Sequence, residues 1–258
     1  MKKIHFSHAN GFPANSYEYF FSHLDDVSID FINTMGHAGY KNKKNLSFLR
    51  DELIDHISNN NDQPVVGIGH SSGAAATLLA AAKRPELFEQ IILIDPVTLG
   101  SRKRFVIELS RKVGLWKRFS PAKKAAKRRF LFKDRKEAFE YYQQKSLFKN
   151  FHPNSFQSYI KHGLAKAGEQ FELIFSPQVE ADIFSHVPTH IPKDLSKVKG
   201  TIIYAKNSNV FGQSDINWWK KKHPHFNFIC FDGYHLFPFE LPQKAAQEVN
   251  RILNQAVD

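Results

Sequence analysis

The sequence predicts an α/β protein with a mostly parallel, doubly wound sheet and an inserted helical cap. Apolar strand-like runs alternate with helix-like segments, and one long stretch in the middle of the chain interrupts this alternation. The length of 258 residues suits one large α/β domain with an insertion. Hydrophobic residues make up 42% and charged residues 24% of the chain, so a disordered or fibrous class is not expected.

Six segments have the apolar composition of strands. In chain order they are "KKIHFSH", "VSIDFIN", "QPVVGIG", "QIILID", "KGTIIYA" and "FNFICF". Helical patterns occur between or after them in "SYEYFFSHL", "LSFLRDELIDHISN", the alanine-rich run that follows "GHSSG", "INWWKKKH" and "QKAAQEVNRILNQ". The almost wholly apolar "QPVVGIG" is typical of a strand buried on both faces.

The stretch of residues 99–196 interrupts the alternation with basic and aromatic helical patterns and no clear strand. We expect residues 1–98 and 197–258 to form the core and residues 99–196 to form a helical cap. Residues 101–136 hold fifteen Lys and Arg against two acidic residues, a local charge of +13. This segment is either a solvated basic face or a surface that recognises anions: acidic acyl chains, a phosphate-bearing thioester or an anionic membrane. Nucleic acid is not expected, because no binding motif accompanies the charge.

The single cysteine, Cys230, excludes an internal disulfide and predicts a cytoplasmic protein with a buried, inert thiol. No apolar run approaches the roughly 18 residues that a membrane span requires. The N-terminus is not expected to be a signal peptide, because polar residues interrupt any apolar region there.

The segment "GHSSG" fits the pattern Gly-x-Ser-x-Gly with Ser71 at its centre. A nucleophilic serine needs a sharp strand-to-helix turn with small residues two positions before and after it, and Gly69 and Gly73 supply them. The alternative is a serine that merely caps a helix. His235 lies in a glycine-containing loop after the last strand, where a general base is expected. Other histidines also lie near strand ends, so position alone does not decide the choice: His8, His37 and His70.

These motifs, "HANGFPANSY", "GHSSG" and "GYHLFPFELP", resemble in content and order those of the α/β-hydrolase fold. The resemblance implies an oxyanion loop, a nucleophile elbow at Ser71 and a histidine loop at His235. It also implies an acid after the penultimate strand, but there the chain reads "IIYAKNSNVFG", with Ser208 or Asn209 at that place. Neither side chain carries the charge that stabilises an imidazolium.

Asp95, which ends the strand "QIILID", is the alternative acid. Parallel strands joined by a right-handed crossover end at the same edge, so Asp95 and Ser71 should lie close together. An Asp-Pro turn is the competing interpretation. Asp215 precedes a predicted helix and is better explained as its cap. For the oxyanion hole we expect the N–H of Ser72 and one N–H from the early loop "HANGF" (residues 8–12), from Asn10 or Phe12. Phe12 is also a candidate for substrate binding.

The predicted function is a serine hydrolase that cleaves a small-molecule ester or thioester without a metal or cofactor, with anionic substrates among the candidates. Two alternatives stay open: a non-catalytic binding protein, and a C–C bond hydrolase or lyase on the same fold. A dehalogenase is disfavoured, because its nucleophile would be an aspartate where this chain has Ser71.

Overall fold

The structure is a computed structural model that describes residues 1–255, apart from the side chains of Lys117 and Phe119. The first part of the chain contains β1 (Lys2–Ser7), α1 (Glu18–Phe21), β2 (Val27–Phe31), α2 (Ser47–Asn60), β3 (Val65–His70), α3 (Ser72–Lys83) and β4 (Phe88–Ile94). Each predicted strand in this part is confirmed. Residues 256–258 of the predicted core lie outside the described residues.

The stretch between the core segments is mixed rather than purely helical. It contains α4 (Ser101–Lys112), α5 (Trp116–Phe119), α6 (Ala122–Ala126), β5 (Leu131–Phe132), α7 (Arg135–Gln143), α8 (Pro153–Gly163), β6 (Leu164–Ala167), β7 (Gln170–Leu173) and α9 (Pro177–Ser185). The three strands form a small antiparallel sheet in the order β5-β7-β6. The expectation of no strand here was wrong, because strands of two to four residues are too short to show alternation. Gly168, with φ of +61°, begins the two-residue turn between β6 and β7. A glycine in such a turn is the sequence feature that could have indicated this hairpin.

The chain closes with β8 (Gly200–Ala205), α10 (Gln213–Lys222), β9 (Asn227–Phe231), α11 (Phe237–Glu240) and α12 (Pro242–Asn254). The main sheet has six strands in the order β2-β1-β3-β4-β8-β9, and all neighbouring pairs are parallel. β2 lies on one side of β1, whereas β3 and the later strands lie on the other, so the strand order reverses between β1 and β3. In parallel sheets the crevice beyond the carboxyl ends of two such strands is the usual place for a ligand.

Alternating side chains fill both faces of the sheet, as β4 illustrates. Ile92 and Ile94 pack in the cluster that includes α1 and α12, whereas Ile91 and Leu93 pack against α3 and α10. All four are fully buried, and each such side chain contributes about 1.5–3 kcal/mol of hydrophobic stabilisation. This two-sided burial explains the continuous apolar run that predicted the strand.

Aromatic residues of the insertion share the hydrophobic cluster of the core. Phe148, Phe151 and Tyr159 lie within 5.4–6.3 Å of the Phe12 ring, measured between ring centroids. Phe12 also contacts Phe239 of α11 at 4.9 Å. The early loop, the insertion and the C-terminal part of the chain are therefore joined by one aromatic cluster.

The thiol of Cys230 is exposed, so the prediction of a buried cysteine was wrong. Cys230 lies on β9, the last strand of the sheet, and its neighbours Ile229 and Phe231 point to the other face, where they pack in the large core cluster. A period-2 strand at an edge leaves alternate side chains uncovered. Among residues 1–255, no helix combines the length and the apolarity that crossing a membrane would require.

Gly73 lies where α3 approaches the end of β1. A Cβ atom at this position would lie 2.1 Å from the Ser7 carbonyl oxygen and 2.5 Å from that of His8. We expect Gly73→Ala to lower the free energy of unfolding by about 1–3 kcal/mol or more, because the backbone itself must move. Chemical denaturation measures this loss.

Gly163→Ala is the matched control, because a Cβ there would meet nothing closer than 3.8 Å. Alanine is favoured over glycine in a helix by up to about 1 kcal/mol, so this variant should be neutral or stabilised. Equal stability of the Gly73→Ala variant and the natural protein would contradict the close approach of α3 to β1.

Candidate active site

Ser71 occupies a strained turn between β3 and α3. Its φ is +56° and its ψ is −114°, a backbone conformation that costs a residue with a side chain about 1–3 kcal/mol. The Ser71 N–H donates to the Ile94 carbonyl at 3.0 Å, which fixes the turn to β4. A Cβ on Gly69 would lie 2.6 Å from the Cα of Ala74, and Gly73 is equally crowded. The two glycines thus let strand and helix meet closely enough to hold Ser71 at the tip.

The structure brings Ser71, His235 and Asp95 into one hydrogen-bonded row. The Ser71 Oγ lies 3.0 Å from His235 Nε2, and His235 Nδ1 lies 2.5 Å from Asp95 Oδ2. Since a carboxylate accepts, Nδ1 carries the proton and Nε2 is free to accept from the serine hydroxyl. The His235 side chain is 20% exposed and the Asp95 carboxylate is fully buried.

Asp95 is held by two further donors besides His235. The Ala205 N–H donates to Oδ1 at 2.9 Å, and the Ser208 hydroxyl donates to Oδ2 at 2.6 Å. Ser208 Oγ itself accepts from the N–H groups of Val210 and Phe211 at 3.0 and 3.1 Å. With both lone pairs engaged, the only proton of Ser208 points at the carboxylate. Ser208, which stands where the resemblance implied an acid, therefore donates to the carboxylate that follows β4.

Asp215 lies apart from this row and caps α10, as the sequence indicated. Its carboxylate accepts from the Gly212 N–H at 2.9 Å and from the Gly100 N–H at 2.7 Å. Lys103 forms an ion pair with it at 2.6 Å. Asp215 thus ties the start of the insertion to α10 and has no contact with His235.

The two candidate positions in the early loop differ in their backbone hydrogen bonding. The Phe12 N–H donates to the Ala9 carbonyl at 3.1 Å and is occupied, whereas the Asn10 N–H has no acceptor within residues 1–255. The Phe12 side chain is 7% exposed and lies in the aromatic cluster. The Ser72 N–H lies in the first turn of α3, where no preceding helical carbonyl is available. The Phe12 N–H is therefore engaged, whereas within residues 1–255 the N–H groups of Asn10 and Ser72 have no acceptor.

His70 and Tyr17 connect the early loop with the histidine loop. The Ala9 N–H donates to the Tyr17 hydroxyl at 3.1 Å, and that hydroxyl lies 2.7 Å from His70 Nδ1. His70 Nε2 lies 2.9 Å from the carbonyl oxygen of His235, so Nε2 donates and Nδ1 accepts from Tyr17. Complete burial lowers the pKa of His70 to about 3, and the ring is neutral near pH 7. Neither residue had a role predicted from the sequence, although His70 stood within "GHSSG".

The other candidate histidines are engaged elsewhere. His8 Nε2 accepts from the Met35 N–H at 2.8 Å, and burial lowers the pKa of His8 to about 4. His37 Nε2 accepts from the Ser176 N–H at 3.0 Å. Each fixes a loop, and only His235 reaches Ser71.

The insertion contacts the early loop through Glu180, which also forms a largely buried ion pair with Arg128. Arg128 Nη1 lies 2.6 Å from Glu180 Oε2, and the Glu180 backbone carbonyl accepts from the side-chain Nδ2 of Asn10 at 3.0 Å. Gly11, with φ of +78°, lies directly below this pair, and a Cβ there would lie 3.1 Å from both side chains. The backbone of the early loop is therefore fixed from the insertion side as well.

A six-stranded parallel sheet with a strained serine after the third strand and a histidine after the last defines the α/β-hydrolase class. A sequence profile described as "Alpha/beta hydrolase family" matches residues 6–248, and the chain belongs to this family. The structure is similar to the peroxisomal alpha-beta-hydrolase Lpx1 of Saccharomyces cerevisiae, with a TM-score of 0.72 and 18% identity over 97% of this chain and 75% of Lpx1. It is also similar to E-2-(acetamidomethylene)succinate hydrolase, with a TM-score of 0.75 and 16% identity over 98% of this chain and 91% of that one.

Two curated relatives match shorter stretches. Lipase LipV of Mycobacterium tuberculosis is 35% identical over 94 residues, which is 33% of this chain and 34% of LipV. The type I acyl-CoA thioesterase mpaH of Penicillium brevicompactum is 30% identical over 109 residues, which is 35% of this chain and 25% of mpaH. The chain therefore matches about a third or less of each relative's length.

We expect Asp95→Asn to slow the modification of Ser71 by a fluorophosphonate far more than Ser208→Ala does. Loss of the orienting carboxylate costs a serine protease about 10⁴ in kcat, because the histidine adopts the wrong tautomer. Ser208→Ala leaves Asp95 charged and bonded to Ala205, so a decrease of about tenfold or less is expected, the effect of one hydrogen bond. Modification rates at pH 7 measure the difference.

Asp215→Asn is the control for a buried aspartate outside the row, and thermal melting must show that each variant is folded. A folded Asp95→Asn variant that reacts at the natural rate would contradict the assignment of Asp95 as the acid.

Proposed function

We propose that the protein is a serine hydrolase that cleaves an ester or thioester through an acyl-enzyme on Ser71. The observation that carries the proposal is the row of Ser71, His235 and Asp95, with distances of 3.0 and 2.5 Å and a fully buried carboxylate. A binding protein on the same fold would have no use for a strained serine hydrogen-bonded to a histidine whose tautomer is fixed.

In the proposed reaction His235 Nε2 takes the proton of Ser71 while Oγ attacks the substrate carbonyl carbon. The N–H groups of Ser72 and Asn10 stabilise the developing oxyanion. Ser72 is the first residue of α3, so the positive end of the helix dipole adds to this stabilisation. Asp95 stabilises the imidazolium. His235 then protonates the departing alcohol or thiol, and the acyl group stays on Ser71.

Hydrolysis of the acyl-enzyme reverses these roles with water as the nucleophile. His235 Nε2 accepts a proton from water, the hydroxide equivalent attacks the acyl carbon, and the proton returns to Ser71 Oγ as the acid leaves. The names of LipV and mpaH, a lipase and an acyl-CoA thioesterase, favour acyl esters and thioesters as substrates. Phe12 would contribute to substrate binding only through the aromatic cluster, since its ring is nearly fully buried.

Ser71→Ala should abolish both labelling by a fluorophosphonate and hydrolysis of p-nitrophenyl esters, with a loss of about 10³-fold or more. Ser72→Ala is the matched control, because it keeps the backbone N–H and should retain both activities. Mass spectrometry identifies the labelled residue, and a set of ester chain lengths defines the preferred acyl group.

Labelling of Ser72, or labelling that survives in Ser71→Ala, would refute the assignment of the nucleophile. A protein that labels at Ser71 but hydrolyses no ester or thioester would retain the nucleophile and point to C–C bond cleavage instead.

We propose further that residues 99–196 act as a cap over this site and that α4 contacts an anionic membrane surface. Five large apolar side chains in or just after α4 are 47–69% exposed: Phe105, Val106, Leu109, Val113 and Leu115. Phe105, Leu109 and Val113 are four residues apart and so share one face, with the exposed cations Arg102 and Lys112 nearby.

Apolar side chains exposed beside basic ones favour an anionic membrane over the other candidate anions. A solvated face or a soluble phosphate ligand needs no exposed phenylalanine, whereas a helix in a lipid interface buries its apolar face among acyl chains and its cations among head groups. A second copy of the chain would bring like charges together. The cytoplasmic location inferred from the single cysteine belongs to this proposal and gives access to an anionic leaflet.

The protein should co-sediment with vesicles that contain phosphatidylglycerol and much less with vesicles of phosphatidylcholine alone. Phe105→Ser with Leu109→Ser should lower this binding about tenfold or more, because two exposed apolar side chains that would insert into the lipid are lost. Leu147→Ser, which removes an exposed leucine outside α4, should leave binding unchanged.

Binding that is equal for both vesicle types, or equal for the double variant and the natural protein, would contradict a membrane contact through α4. Salt should weaken the interaction, because the Debye length is about 10 Å at 0.1 M ionic strength.

A further inference from the structure

A second group of polar side chains lies on the sheet face covered by α2. His5 of β1 and Asp30 of β2 are register neighbours in the parallel pair, so their side chains leave the sheet on the same face. The residues on either side of His5, Ile4 and Phe6, pack in the cluster on the opposite face. His56 reaches this pair from α2. These three residues form no part of the Ser71 site.

The three side chains converge on one point. One potential ligand atom from each of His5, Asp30 and His56 lies within 4.8 Å of the other two. His56 Nε2 and Asp30 Oδ2 are hydrogen-bonded at 2.8 Å, and the two imidazole rings are 5.2 Å apart between centroids. The side chains of His56 and Asp30 are 25% and 39% exposed, so the group opens to solvent on one side.

The buried member of this group has an unsatisfied nitrogen. His5 is 1% exposed, and within the described residues its Nε2 has no hydrogen-bond partner. A buried polar atom without a partner destabilises a fold, and it calls for a specific explanation such as a bound ion. The His5 ring that carries this nitrogen also supplies one of the potential ligand atoms that lie close to His56 and Asp30.

We propose that His5, Asp30 and His56 bind a divalent transition-metal ion of the zinc class. Two imidazoles and one carboxylate are a ligand set that suits Zn²⁺, whereas Mg²⁺ and Ca²⁺ prefer oxygen ligands alone. Water fills the fourth position from the solvent side.

Binding requires only small movements and the removal of the proton from His56 Nε2. Zn–N distances of about 2.0–2.1 Å place tetrahedral ligands about 3.4 Å apart, so the side chains must contract around the ion. The hydrogen bond between His56 and Asp30 is then replaced by two metal bonds. The proton of His56 Nε2 leaves that nitrogen for Nδ1 or for solvent, because only an unprotonated nitrogen can bind the ion.

The bound ion would join β1, β2 and α2. Because β2 is the outermost strand on this side of the sheet, its attachment depends on β1 alone within the sheet. A ligand that binds only the folded state raises thermal stability in proportion to the logarithm of its concentration above Kd. The expected role of the ion is therefore structural and separate from ester hydrolysis.

The test is titration of chelator-treated full-length protein with Zn²⁺ and, separately, with Mg²⁺. We expect one Zn²⁺ site with micromolar or tighter affinity and an increase in Tm of several degrees, with no response to Mg²⁺. Co²⁺ in place of zinc should give the visible absorption of a nitrogen- and oxygen-ligated tetrahedral ion.

Two variants remove ligands and one serves as control. His56→Gln and His5→Phe should each weaken binding about tenfold to a hundredfold and abolish the increase in Tm. In the presence of chelator, His5→Phe should be at least as stable as the natural protein, because it removes the unsatisfied nitrogen. His162→Gln, which alters a histidine–carboxylate pair with Glu18 outside the site, should bind as the natural protein does.

Zinc binding that is unchanged in His56→Gln and His5→Phe would mean that the ion binds adventitious surface histidines, and the proposal would fail. Absence of micromolar binding would overturn it as well. Neither result would affect labelling of Ser71, so the outcome is independent of the proposed hydrolase activity.

Discussion

The arrangement of the site depends on the hydrogen bonds that the buried carboxylate of Asp95 accepts. An ionised carboxylate with no exposure needs partners, and Asp95 has three: the Ala205 N–H, the Ser208 hydroxyl and His235 Nδ1. These partners come from β8, the turn after it and the loop after β9. The charge of Asp95, which follows β4, therefore fixes the carboxyl ends of β4, β8 and β9 relative to one another. His235 extends this network to Ser71.

The sequence predicted the parts of this fold that are repeated or confined to one motif. The six core strands followed from apolar runs, and the turn at Ser71 followed from the glycines on either side of it. The position of Asp95 followed from the rule that parallel strands end at one edge. The hydroxyl of Ser208 could not be placed, because its orientation depends on backbone N–H groups that only the folded turn brings to it. The short strands of the insertion were not predicted for a related reason, since two to four residues are too few to show an alternation of apolar and polar side chains.

The long-range network at His70 was equally inaccessible from the sequence. A histidine beside the nucleophile is a natural rival for the role of base, and only its contacts exclude it. Burial keeps His70 neutral, and a neutral ring both accepts from Tyr17 and donates to the His235 carbonyl. A protonated ring would have no lone pair for the Tyr17 hydroxyl. The depressed pKa of His70 is therefore what allows one side chain to link the loop of Asn10 with the loop of His235.

The basic insertion divides its charge between two environments that the sequence does not distinguish. Arg128 is surrounded by Glu180, Tyr142 and Tyr159, and these contacts satisfy its donors inside the protein. This ion pair lies over Gly11 and takes part in holding the early loop. Arg102 and Lys112, by contrast, are exposed at the two ends of the apolar face of α4. A charge count assigns the same weight to Arg128, Arg102 and Lys112, but burial separates the cation that holds the early loop from the two that are exposed on α4. Neutralising Arg128 would therefore act on the early loop, whereas neutralising Arg102 or Lys112 would act only on what α4 contacts.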